Sequence, residues 1–369
     1  MKKVLVVAPY PYLPFFSGGQ KFIAQFLAHL GRETELTVIG SASNTTGGVK
    51  NYRHLPWLQA SFFRYADFRL AGKIAGAVRS NHVQSVIWEH PYMGWLAWLV
   101  RQKTGVPFLV HTHNIEYQRF RSMGKWWWPL LKIYERWVFR KADGIFFITP
   151  DDRAFAIHKW KIPEEKCMDL PFAVPYSRMP EDRLLCRQKI REIHGIADDE
   201  KILLFNGLLR YPPNLEALKV LLDQVLPLLE KAEGYRFKLL VCGKDLPPEM
   251  NGLNAYRNRQ VIYAGFVEDI DLYFKAADLF LNPVQSGGGI KTKMVEAIAQ
   301  GTTVIATETG AQGILREACG AKLILVPDNN WPGFANAILS VTETNSPTPA
   351  DYYAYYAWEN VARKVAAKL

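Results

Sequence analysis

The sequence of 369 residues has few cysteines, no long apolar run and no block of basic residues. Its four cysteines lie far apart, without the Cys-x-x-Cys or Cys/His spacing of a metal site. We therefore expect free thiols in a reducing compartment. No apolar stretch approaches the ~20 residues that span a bilayer, and the run Val4–Ala8 is too short for a secretory signal. These absences predict a cytoplasmic protein without a membrane-spanning helix.

The charge of the chain is basic but dispersed. Lys and Arg total 45 against 35 for Asp and Glu, which gives a formal net charge of +10. Such an excess attracts polyanions, yet the chain has no signature of a nucleic-acid-binding module. We therefore predict no nucleic acid partner. The composition favours a phosphorylated small molecule as the partner, with or without an anionic membrane surface.

Short apolar, β-branched runs alternate with longer amphipathic stretches along the whole chain. This alternation is typical of α/β folds with parallel sheets. The predicted strands are Lys3–Ala8, Glu35–Gly40, Ser85–Trp88, Phe108–His111, Gly144–Ile148, Ile202–Asn206, Phe237–Cys242, Val261–Ala264, Leu279–Asn282, Thr303–Thr307 and Leu323–Val326. The predicted helices are Gln20–Leu30, Phe68–Ser80, Met93–Lys103, Pro129–Lys141, Asn214–Lys231, Asp269–Ala277, Thr292–Gln300 and Trp331–Thr342.

Two changes of composition predict the domain boundaries. Ile162–Pro180 is rich in proline and charge, and a polar helix over Arg183–His194 follows it. A second polar segment, Thr344–Asp351, precedes an aromatic helix over Tyr352–Leu369. The predicted units are an N-terminal acceptor-binding domain at 1–180, a C-terminal nucleotide-sugar-binding domain at 181–350 and a final helix at 351–369.

The most informative segment joins a predicted strand to a predicted helix in the second half. Ser286–Glu296 reads Ser-Gly-Gly-Gly-Ile-Lys-Thr-Lys-Met-Val-Glu. Consecutive glycines let main-chain N–H groups approach an anion, and a helix N-terminus adds partial positive charge. Lys291 and Lys293 add full charges, and Glu296 lies at about the reach from a diphosphate to a ribose. The pattern favours a nucleotide site over a plain turn with a surface ion pair.

This segment resembles the donor-binding motif of the retaining glycosyltransferases of group 1, family four. Further stretches agree with that family in order and spacing. They are Asn206–Asn214, Val241–Lys244, Gly265–Ile270 and Thr307–Gly313. The resemblance covers the predicted C-terminal domain and implies the α/β architecture called GT-B. In that fold two Rossmann-like parallel-sheet domains face each other across a cleft, and a C-terminal helix returns to the N-terminal domain.

Two loops of the first half extend the resemblance. Pro9–Gln20 is not GxGxxG, which disfavours a dinucleotide fingerprint, and by resemblance its Gly18 and Gly19 approach the donor phosphates and the acceptor. His113 and Asn114 follow the predicted strand Phe108–His111 and match the family's pair that contacts the transferred sugar.

The resemblance implies roles for particular side chains. Glu296 binds the donor ribose, Lys291 or Lys293 the diphosphate, and Arg210 a further phosphate. The implied donor-binding residues are Gly18, Gly19, Asn206, Gly207, Arg210, Gly243, Phe266, Val267, Gly287, Gly288, Gly289, Ile290, Lys291, Lys293 and Glu296. The implied catalytic residues are His113, Asn114 and Glu296. No cofactor and no metal is expected, the nucleotide diphosphate sugar being a co-substrate.

The implied reaction moves a hexose from a nucleotide diphosphate sugar to a carbohydrate or lipid-linked acceptor, with retention of configuration. We assign no catalytic base, because the family is discussed in terms of attack in which the leaving phosphate takes the acceptor proton. Two positions depart from the family: Gly288 stands where a second glutamate is common, and Leu215 where a lysine follows the arginine. A nucleotide-sugar epimerase and a non-catalytic donor-binding protein are the alternatives.

The remaining candidates have less specific interpretations. His111 and His113 with Glu116 have a spacing that a metal site can use, but a loop His-x-His without a third clear ligand favours structural imidazoles. Glu89 and His90 are interpreted as structural. Two aromatic-basic patches, Trp57–Arg69 and Lys125–Arg140, are interpreted as core faces or as surfaces that meet a membrane or an acceptor.

Overall fold

The computed structural model describes residues 1–15, 17–45, 51–342 and 346–369. The chain divides into two compact units. The first unit comprises residues 1–175 and 356–369, and the second comprises residues 176–355. The predicted boundaries, 180/181 and 350/351, lie five residues away from these divisions. Phe16, in the predicted loop Pro9–Gln20, and the start of the predicted segment Thr344–Asp351 lie outside the described residues.

Each unit is built on one parallel sheet among its described residues. The strands are β1 (Lys3–Val7), β2 (Glu35–Ser41), β3 (Arg53–Leu58), β4 (Ser85–Glu89), β5 (Phe108–Thr112), β6 (Gly144–Phe147), β7 (Cys167–Asp169), β8 (Lys201–Asn206), β9 (Phe237–Cys242), β10 (Val261–Gly265), β11 (Leu279–Asn282), β12 (Thr303–Thr307) and β13 (Leu323–Val326). The first sheet has the order β3-β2-β1-β4-β5-β6-β7, and the second has the order β10-β9-β8-β11-β12-β13. The predicted α/β fold is confirmed.

Helices cover both sheets. They are α1 (Gly18–Glu33), α2 (Arg69–Ser80), α3 (Gly94–Thr104), α4 (Glu116–Ser122), α5 (Trp128–Lys141), α6 (Pro150–Trp160), α7 (Arg183–His194), α8 (Pro212–Val220), α9 (Leu226–Glu230), α10 (Ile270–Ala276), α11 (Thr292–Ala299), α12 (Arg316–Cys319), α13 (Trp331–Ser340), α14 (Ala350–Tyr356) and α15 (Trp358–Lys368). Central strands such as β4 and β5 are buried along their whole length, as expected for strands covered on both faces. No helix of the described residues is long and apolar enough to cross a bilayer.

Helix α1 begins two residues earlier than predicted. Ser17 caps it through its hydroxyl, which accepts from the main-chain N–H of Gln20, and the Gln20 side chain accepts from the N–H of Ser17 at 3.1 Å. This reciprocal capping box stabilises a helix start at Gly18. Gly18 and Gly19 therefore lie in the first turn of α1, directly after the loop that follows β1.

The C-terminal helix α15 belongs to the first unit, as predicted. The Trp358 indole N–H donates to Gln25 of α1 at 3.0 Å, and its ring stacks on His29 at 5.6 Å between centroids. The single helix predicted over Tyr352–Leu369 is wrong, because Ala357 has an extended backbone and pairs with Val174. That pairing separates α14 from α15.

Other elements also differ from the prediction. The predicted helix Asn214–Lys231 consists of α8, a π-helical turn at Leu221–Val225, and α9. Pro227 lies in the first turn of α9, and its missing N–H interrupts the helical ladder there. Strand β3 lies at a sheet edge and contains Pro56, which edge strands tolerate. Strand β7 is three residues long and lies inside the predicted linker.

Candidate functional site

The carboxyl ends of neighbouring strands bring the predicted donor-binding segments of the second unit together. Gly207 and Gly243 follow β8 and β9, and a Cβ on Gly243 would lie 2.0 Å from the Gly207 carbonyl oxygen. Gly243 also has a φ of +152°, so only glycine fits this close approach. The Gly243 N–H donates to the Gly265 carbonyl at 2.7 Å, which ties the end of β10 to the same edge.

The glycine-rich turn after β11 lies at the same edge, on the side of β8 away from β9. Gly287 and Gly289 have φ values of +86° and +77°, a region that favours glycine. A Cβ on Gly287 would lie 3.2 Å from the hydroxyl of Tyr211, so the turn packs against the loop before α8. Gly288, by contrast, is exposed and has open space around its Cβ position. Ile290, half-buried, completes the turn before Lys291.

Two lysines bring positive charge to this turn without an acidic partner among the described residues. The Lys291 ammonium donates to the carbonyls of Gly287 and Gly289 at 2.8 and 3.0 Å. The Lys293 ammonium donates to the Asn206 carbonyl at 3.0 Å and to the side-chain oxygen of Asn214 at 3.2 Å. The acceptors of both ammonium groups are neutral oxygens, so their hydrogen bonds are made but their positive charges are not offset by a carboxylate.

Burial of these ammonium groups has a measurable electrostatic consequence. Desolvation lowers the pKa of Lys291 to about 8. It lowers the pKa of Lys293 to about 7, with a further contribution from the positive charge of Lys291. A pair of half-buried cations without carboxylates is unfavourable in the empty protein, and a bound anion would relieve that cost.

The start of α11 lies at the same turn as the two lysines. Lys291 occupies the N-cap position, and no side chain of the described residues caps the helix there. The first N–H groups of α11 therefore point towards the glycine turn with partial positive charge. Glu296 is half-buried on the same helix, three residues after Lys293. Turn, lysines and helix start form one continuous feature.

The remaining predicted donor contacts of the second unit are more exposed. Phe266 and Val267 follow β10, and the Phe266 side chain is largely exposed. Arg210 is exposed on the loop after β8, with its Nε 3.9 Å from a carboxylate oxygen of Asp245. The structure therefore places Arg210 beside an acid on the surface, whereas Lys291 and Lys293 lie at the glycine turn.

The first unit has a buried polar cluster at the carboxyl ends of β4 and β5. One oxygen of Glu89 accepts from Nδ1 of His111 at 2.8 Å and from Nε2 of His113 at 3.0 Å. Burial alone raises the pKa of Glu89, but the two histidines outweigh it and lower that pKa to about 2. Glu89 is therefore an ionised carboxylate inside the protein.

A second group of hydrogen-bonded side chains lies beside this cluster. Nδ1 of His90 contacts the Glu116 carboxylate at 3.1 Å, and Nε2 of His90 contacts the Tyr10 hydroxyl at 2.6 Å. Burial and the nearby His113 lower the pKa of His90 to about 4. The pKa of Glu116 is lowered to about 2, since His90 and Arg119 outweigh the effect of burial. Glu89 and His90, interpreted from the sequence as structural, therefore belong to two adjoining hydrogen-bonded groups that include His111, His113 and Glu116.

The start of α4 is held by a third buried carboxylate. Glu135 of α5 accepts the main-chain N–H groups of Glu116 and Tyr117 at 2.8 and 3.0 Å. Burial raises the pKa of Glu135 to about 8, although these two N–H groups partly offset it. Asn114, half-buried in the loop before α4, has its main-chain oxygen 2.5 Å from the Thr112 hydroxyl.

One group of side chains among the described residues could hold a metal ion. Ligand atoms of Glu89, His111 and His113 lie within 4.8 Å of one another. The carboxylate belongs to β4, and Glu116, which the spacing suggested as the third ligand, instead contacts His90. Both imidazole nitrogens lie at hydrogen-bonding distance from a single carboxylate oxygen, an arrangement in which N–H groups occupy the coordination directions.

Comparisons with known proteins agree with this arrangement. A family model described as Glycosyltransferase Family 4 matches residues 16–177, and one described as Glycosyl transferases group 1 matches residues 200–344. An uncharacterized glycosyltransferase of Methanocaldococcus jannaschii is 27% identical over 240 residues, which are 59% of this chain. The match spans 54% of the length of that curated relative.

Solved structures show the same fold over the whole chain. Sucrose-phosphate synthase from Thermosynechococcus elongatus has a TM-score of 0.69 at 17% identity, and the match covers 100% of this chain and 98% of that protein. Anabaena HepE in complex with UDP-glucose has a TM-score of 0.66 at 14% identity, with 100% and 99% covered. A glycosyltransferase from Rickettsia africae has a TM-score of 0.67 at 17% identity, with 100% and 97% covered.

Two Rossmann-like parallel-sheet units that match these two family models identify the chain as a glycosyltransferase of the GT-B type. The two matched family models together cover most of the chain. The chain belongs to the group 1, family four glycosyltransferases.

Several residues of these sites were not singled out from the sequence as donor or sugar contacts. Asn214 accepts a hydrogen bond from Lys293, and Tyr211 packs against the glycine turn. The Tyr10 hydroxyl is hydrogen-bonded to His90. The signal that could have found Tyr10 and Glu89 is sheet order. In a doubly wound sheet the strand order reverses beside β1, which places β4 next to β1 and β5 next to β4, so residues after these three strands share one edge.

Proposed function

We propose that the chain transfers a hexose from a nucleotide diphosphate sugar to a carbohydrate or lipid-linked acceptor, with retention and without a metal. The observation that carries this proposal is the pair Lys291 and Lys293. Each ammonium is bonded only to neutral oxygens among the described residues, at a glycine turn and a helix start. A diphosphate supplies the missing negative charge.

This arrangement suits the chemical step as well as binding. Breaking the bond between the sugar and the diphosphate builds negative charge on the leaving phosphate. Preorganised cations and N–H groups stabilise that charge without rearranging in the transition state. In a metal-independent reaction, the two lysines and the start of α11 take the part that a divalent ion plays in other transferases. Retention rests on the resemblance to the retaining family, and the leaving phosphate serves as the proton acceptor.

The donor we favour is a UDP-sugar. The crystal structures of Anabaena HepE are described as complexes with UDP, with UDP and glucose, and with UDP-glucose. By resemblance, Phe266 and Val267 contact the base and Glu296 the ribose hydroxyls. By the same resemblance, Gly18 and Gly19 approach the donor phosphates and the acceptor, and His113 and Asn114 contact the transferred sugar.

We further propose that the first unit meets an anionic membrane at the cytoplasmic face, where a lipid-linked acceptor is found. Phe62 and Trp126 are 83% and 82% exposed, and Phe63, Phe68 and Ile133 are also strongly exposed. These residues lie on neighbouring elements. Trp95 of α3 donates to the Tyr65 carbonyl at 3.0 Å through its indole and to the Tyr134 hydroxyl at 3.1 Å through its main chain.

The charges of this exposed aromatic patch match an anionic surface. The exposed basic residues of the same chain segments are Arg69, Arg121, Lys125, Lys132, Arg140 and Lys141. Segments 57–70 and 119–141 contain two acidic residues. Asp67 pairs with Arg69 at 2.9 Å, and Glu135 is buried. Aromatic rings among basic side chains are the composition of interfacial membrane-binding surfaces.

The first test is a thermal-shift screen with UDP, GDP, ADP and their common sugar conjugates. A ligand at a hundredfold excess over its dissociation constant stabilises the native protein by about 2.7 kcal/mol. We expect stabilisation by UDP and its sugars, and loss of that stabilisation in Glu296→Ala. The matched control is Glu317→Ala, an exposed glutamate of α12. A screen in which no nucleotide stabilises the protein overturns the donor proposal.

Product analysis then separates the reaction classes. Incubation with the stabilising nucleotide sugar and membrane or oligosaccharide acceptors should release the nucleoside diphosphate and give a glycoside of retained configuration. An epimerase would instead return a nucleotide sugar with an inverted hydroxyl. A donor-binding protein without catalysis would bind the nucleotide sugar and leave it intact.

A further inference from the structure

None of the roles proposed above involves the buried carboxylate of Glu89. It lies at the end of β4, is 2% exposed, and contacts His111 and His113 through one of its two oxygens. The other oxygen has no hydrogen-bond partner among the described residues. An ionised group in such a place is costly, so its benefit must lie in what it does to the histidines.

An ionised carboxylate can only accept hydrogen bonds, so the ring nitrogen that faces it carries the proton. Glu89 therefore sets His113 as the tautomer with hydrogen on Nε2 and His111 as the tautomer with hydrogen on Nδ1. In neutral His113 the other nitrogen, Nδ1, is then a hydrogen-bond acceptor. Nε2 of His111 has no partner among the described residues and lies in the protein interior.

The free nitrogen of His113 faces the first turn of α1. It lies 3.8 Å from the position that a Cβ would take on Gly19. The Tyr10 hydroxyl lies 3.9 Å from the same position. His90, protonated at Nδ1 by its contact with Glu116, presents Nε2 to that hydroxyl, so Tyr10 donates its hydrogen to His90. Tyr10 and His113 thus both present acceptor atoms to the space beside Gly19.

We propose that Glu89 is a positioning residue for sugar binding: it holds the His113 ring with Nδ1 as an acceptor beside Gly19 and Tyr10, where sugar hydroxyl groups donate to it. The sugar part of this inference rests on the proposed function. The tautomer part rests on the geometry of Glu89 alone, so the two parts can be tested separately.

The tautomers are read directly by NMR of the protein labelled with ¹⁵N-histidine. Histidine rings in water favour hydrogen on Nε2, so the proposal predicts the rarer Nδ1-protonated pattern for His111 and for His90, and the Nε2-protonated pattern for His113. In Glu89→Met, which removes the acceptor, His111 and His113 should lose their fixed patterns while His90 keeps its own. In Glu116→Met, His90 should lose its fixed pattern while His111 and His113 keep theirs.

The kinetic readout distinguishes positioning from stability. In Glu89→Met we expect turnover of the nucleotide sugar to fall on the order of a hundredfold, because a misplaced group costs about that much. The dissociation constant for UDP should stay unchanged, because the lysine turn lies in the second unit. Glu89→Gln keeps an acceptor oxygen and should restore much of the turnover and the tautomers. Glu165→Met, an exposed glutamate of the same unit, should leave both unchanged.

Named results overturn the proposal. Wild-type spectra in which His111 shows hydrogen on Nε2 would contradict it, and this outcome does not depend on any variant folding. So would a stoichiometric zinc ion, measured by elemental analysis, bound through the same nitrogens. Unchanged tautomers and turnover in a folded Glu89→Met would assign Glu89 to structure alone. If no nucleotide sugar is turned over but the tautomers are as described, the proposed function fails and the role of Glu89 in fixing the rings stands.

Discussion

The ammonium of Lys293 lies 3.0 Å from the main-chain oxygen of Asn206, so a cation at the start of α11 contacts the end of the central strand β8. The rings of Phe205 and Phe280 lie 5.0 and 5.9 Å from the same ammonium. The cation is thus enclosed by a carbonyl, an amide oxygen and two aromatic faces. This environment stabilises the cation less than water does, and we expect a bound phosphate to reverse that balance.

We predict that Lys293→Met binds nucleoside diphosphate poorly yet leaves the empty protein as stable as before or more stable. The methionine side chain packs against the same aromatic rings and removes an uncompensated buried charge. Urea unfolding with and without UDP measures both effects. Lys219→Met, which removes an exposed lysine of α8, is the matched control and should keep the stabilisation by UDP.

The same lysine predicts how stability changes with pH. Its pKa is about 7 in the folded protein against 10.5 for an unperturbed lysine, so the folded chain binds fewer protons between those values. The free energy of unfolding of the empty protein therefore rises as the pH increases from about 7 to about 10.5. Lys293→Met should remove its part of this rise. A pH profile identical to wild type in the variant would contradict the assignment.

Two glycines of the same edge should respond in opposite ways to an added methyl group. Gly243→Ala places a Cβ 2.0 Å from the Gly207 oxygen at a φ of +152°, and we expect it to destabilise the protein by about 1–3 kcal/mol and to weaken UDP binding. Gly288→Ala meets open space at an ordinary φ and should leave stability unchanged. Urea unfolding and UDP titration of both variants measure this, and equal losses in the two would contradict it.

The glycine-lysine turn was predictable because its chemistry is local. Gly287, Gly288, Gly289, Lys291 and Lys293 lie within seven residues, and one strand and one helix position all of them. The alternation of apolar runs likewise predicted the two parallel sheets, since buried parallel strands are nearly continuous apolar segments. Patterns of this range need no knowledge of the tertiary structure.

The cluster of the first unit depends on contacts between distant segments. Glu89 lies more than twenty residues from His111 and His113, and only the pairing of β4 with β5 brings them together. An isolated Glu-His pair carries no signal that distinguishes it from a surface pair. The interruption at Ala357 was missed for the same reason, because its pairing with the distant Val174 overrides helical periodicity there. The interruption at Leu221–Val225 instead has a local cause, the missing N–H of Pro227.

The buried Glu135 predicts an opposite pH dependence in the first unit. Its pKa of about 8 lies above the 4.5 of an unperturbed glutamate, so the folded protein binds more protons between these values. Stability therefore falls as the pH rises from about 4.5 to about 8, by at most about 1.4 kcal/mol per pH unit.

Glu135→Gln keeps one of the two oxygens that accept from the N–H groups of Glu116 and Tyr117, and it removes the titration. The variant should lose this part of the decline in urea unfolding between those pH values, while Asp152, with a pKa raised to about 6 by burial, keeps its own part. A decline of undiminished size in Glu135→Gln would show that another group causes it.

The exposed aromatic patch of the first unit predicts binding to anionic vesicles. Phe62→Ser combined with Trp126→Ser removes two strongly exposed rings, and we expect it to reduce co-sedimentation with phosphatidylglycerol vesicles. Each basic side chain near such a surface contributes about 1 kcal/mol, so added salt should weaken wild-type binding as well.

Leu184→Ser combined with Leu185→Ser removes two exposed apolar residues of α7 in the second unit and is the matched control. Equal binding of wild type to neutral phosphatidylcholine vesicles, or equal loss in the control, would mean that the patch does not select an anionic membrane. A loss confined to the Phe62 and Trp126 variant would assign the membrane contact to the first unit, the unit to which we also assign the acceptor.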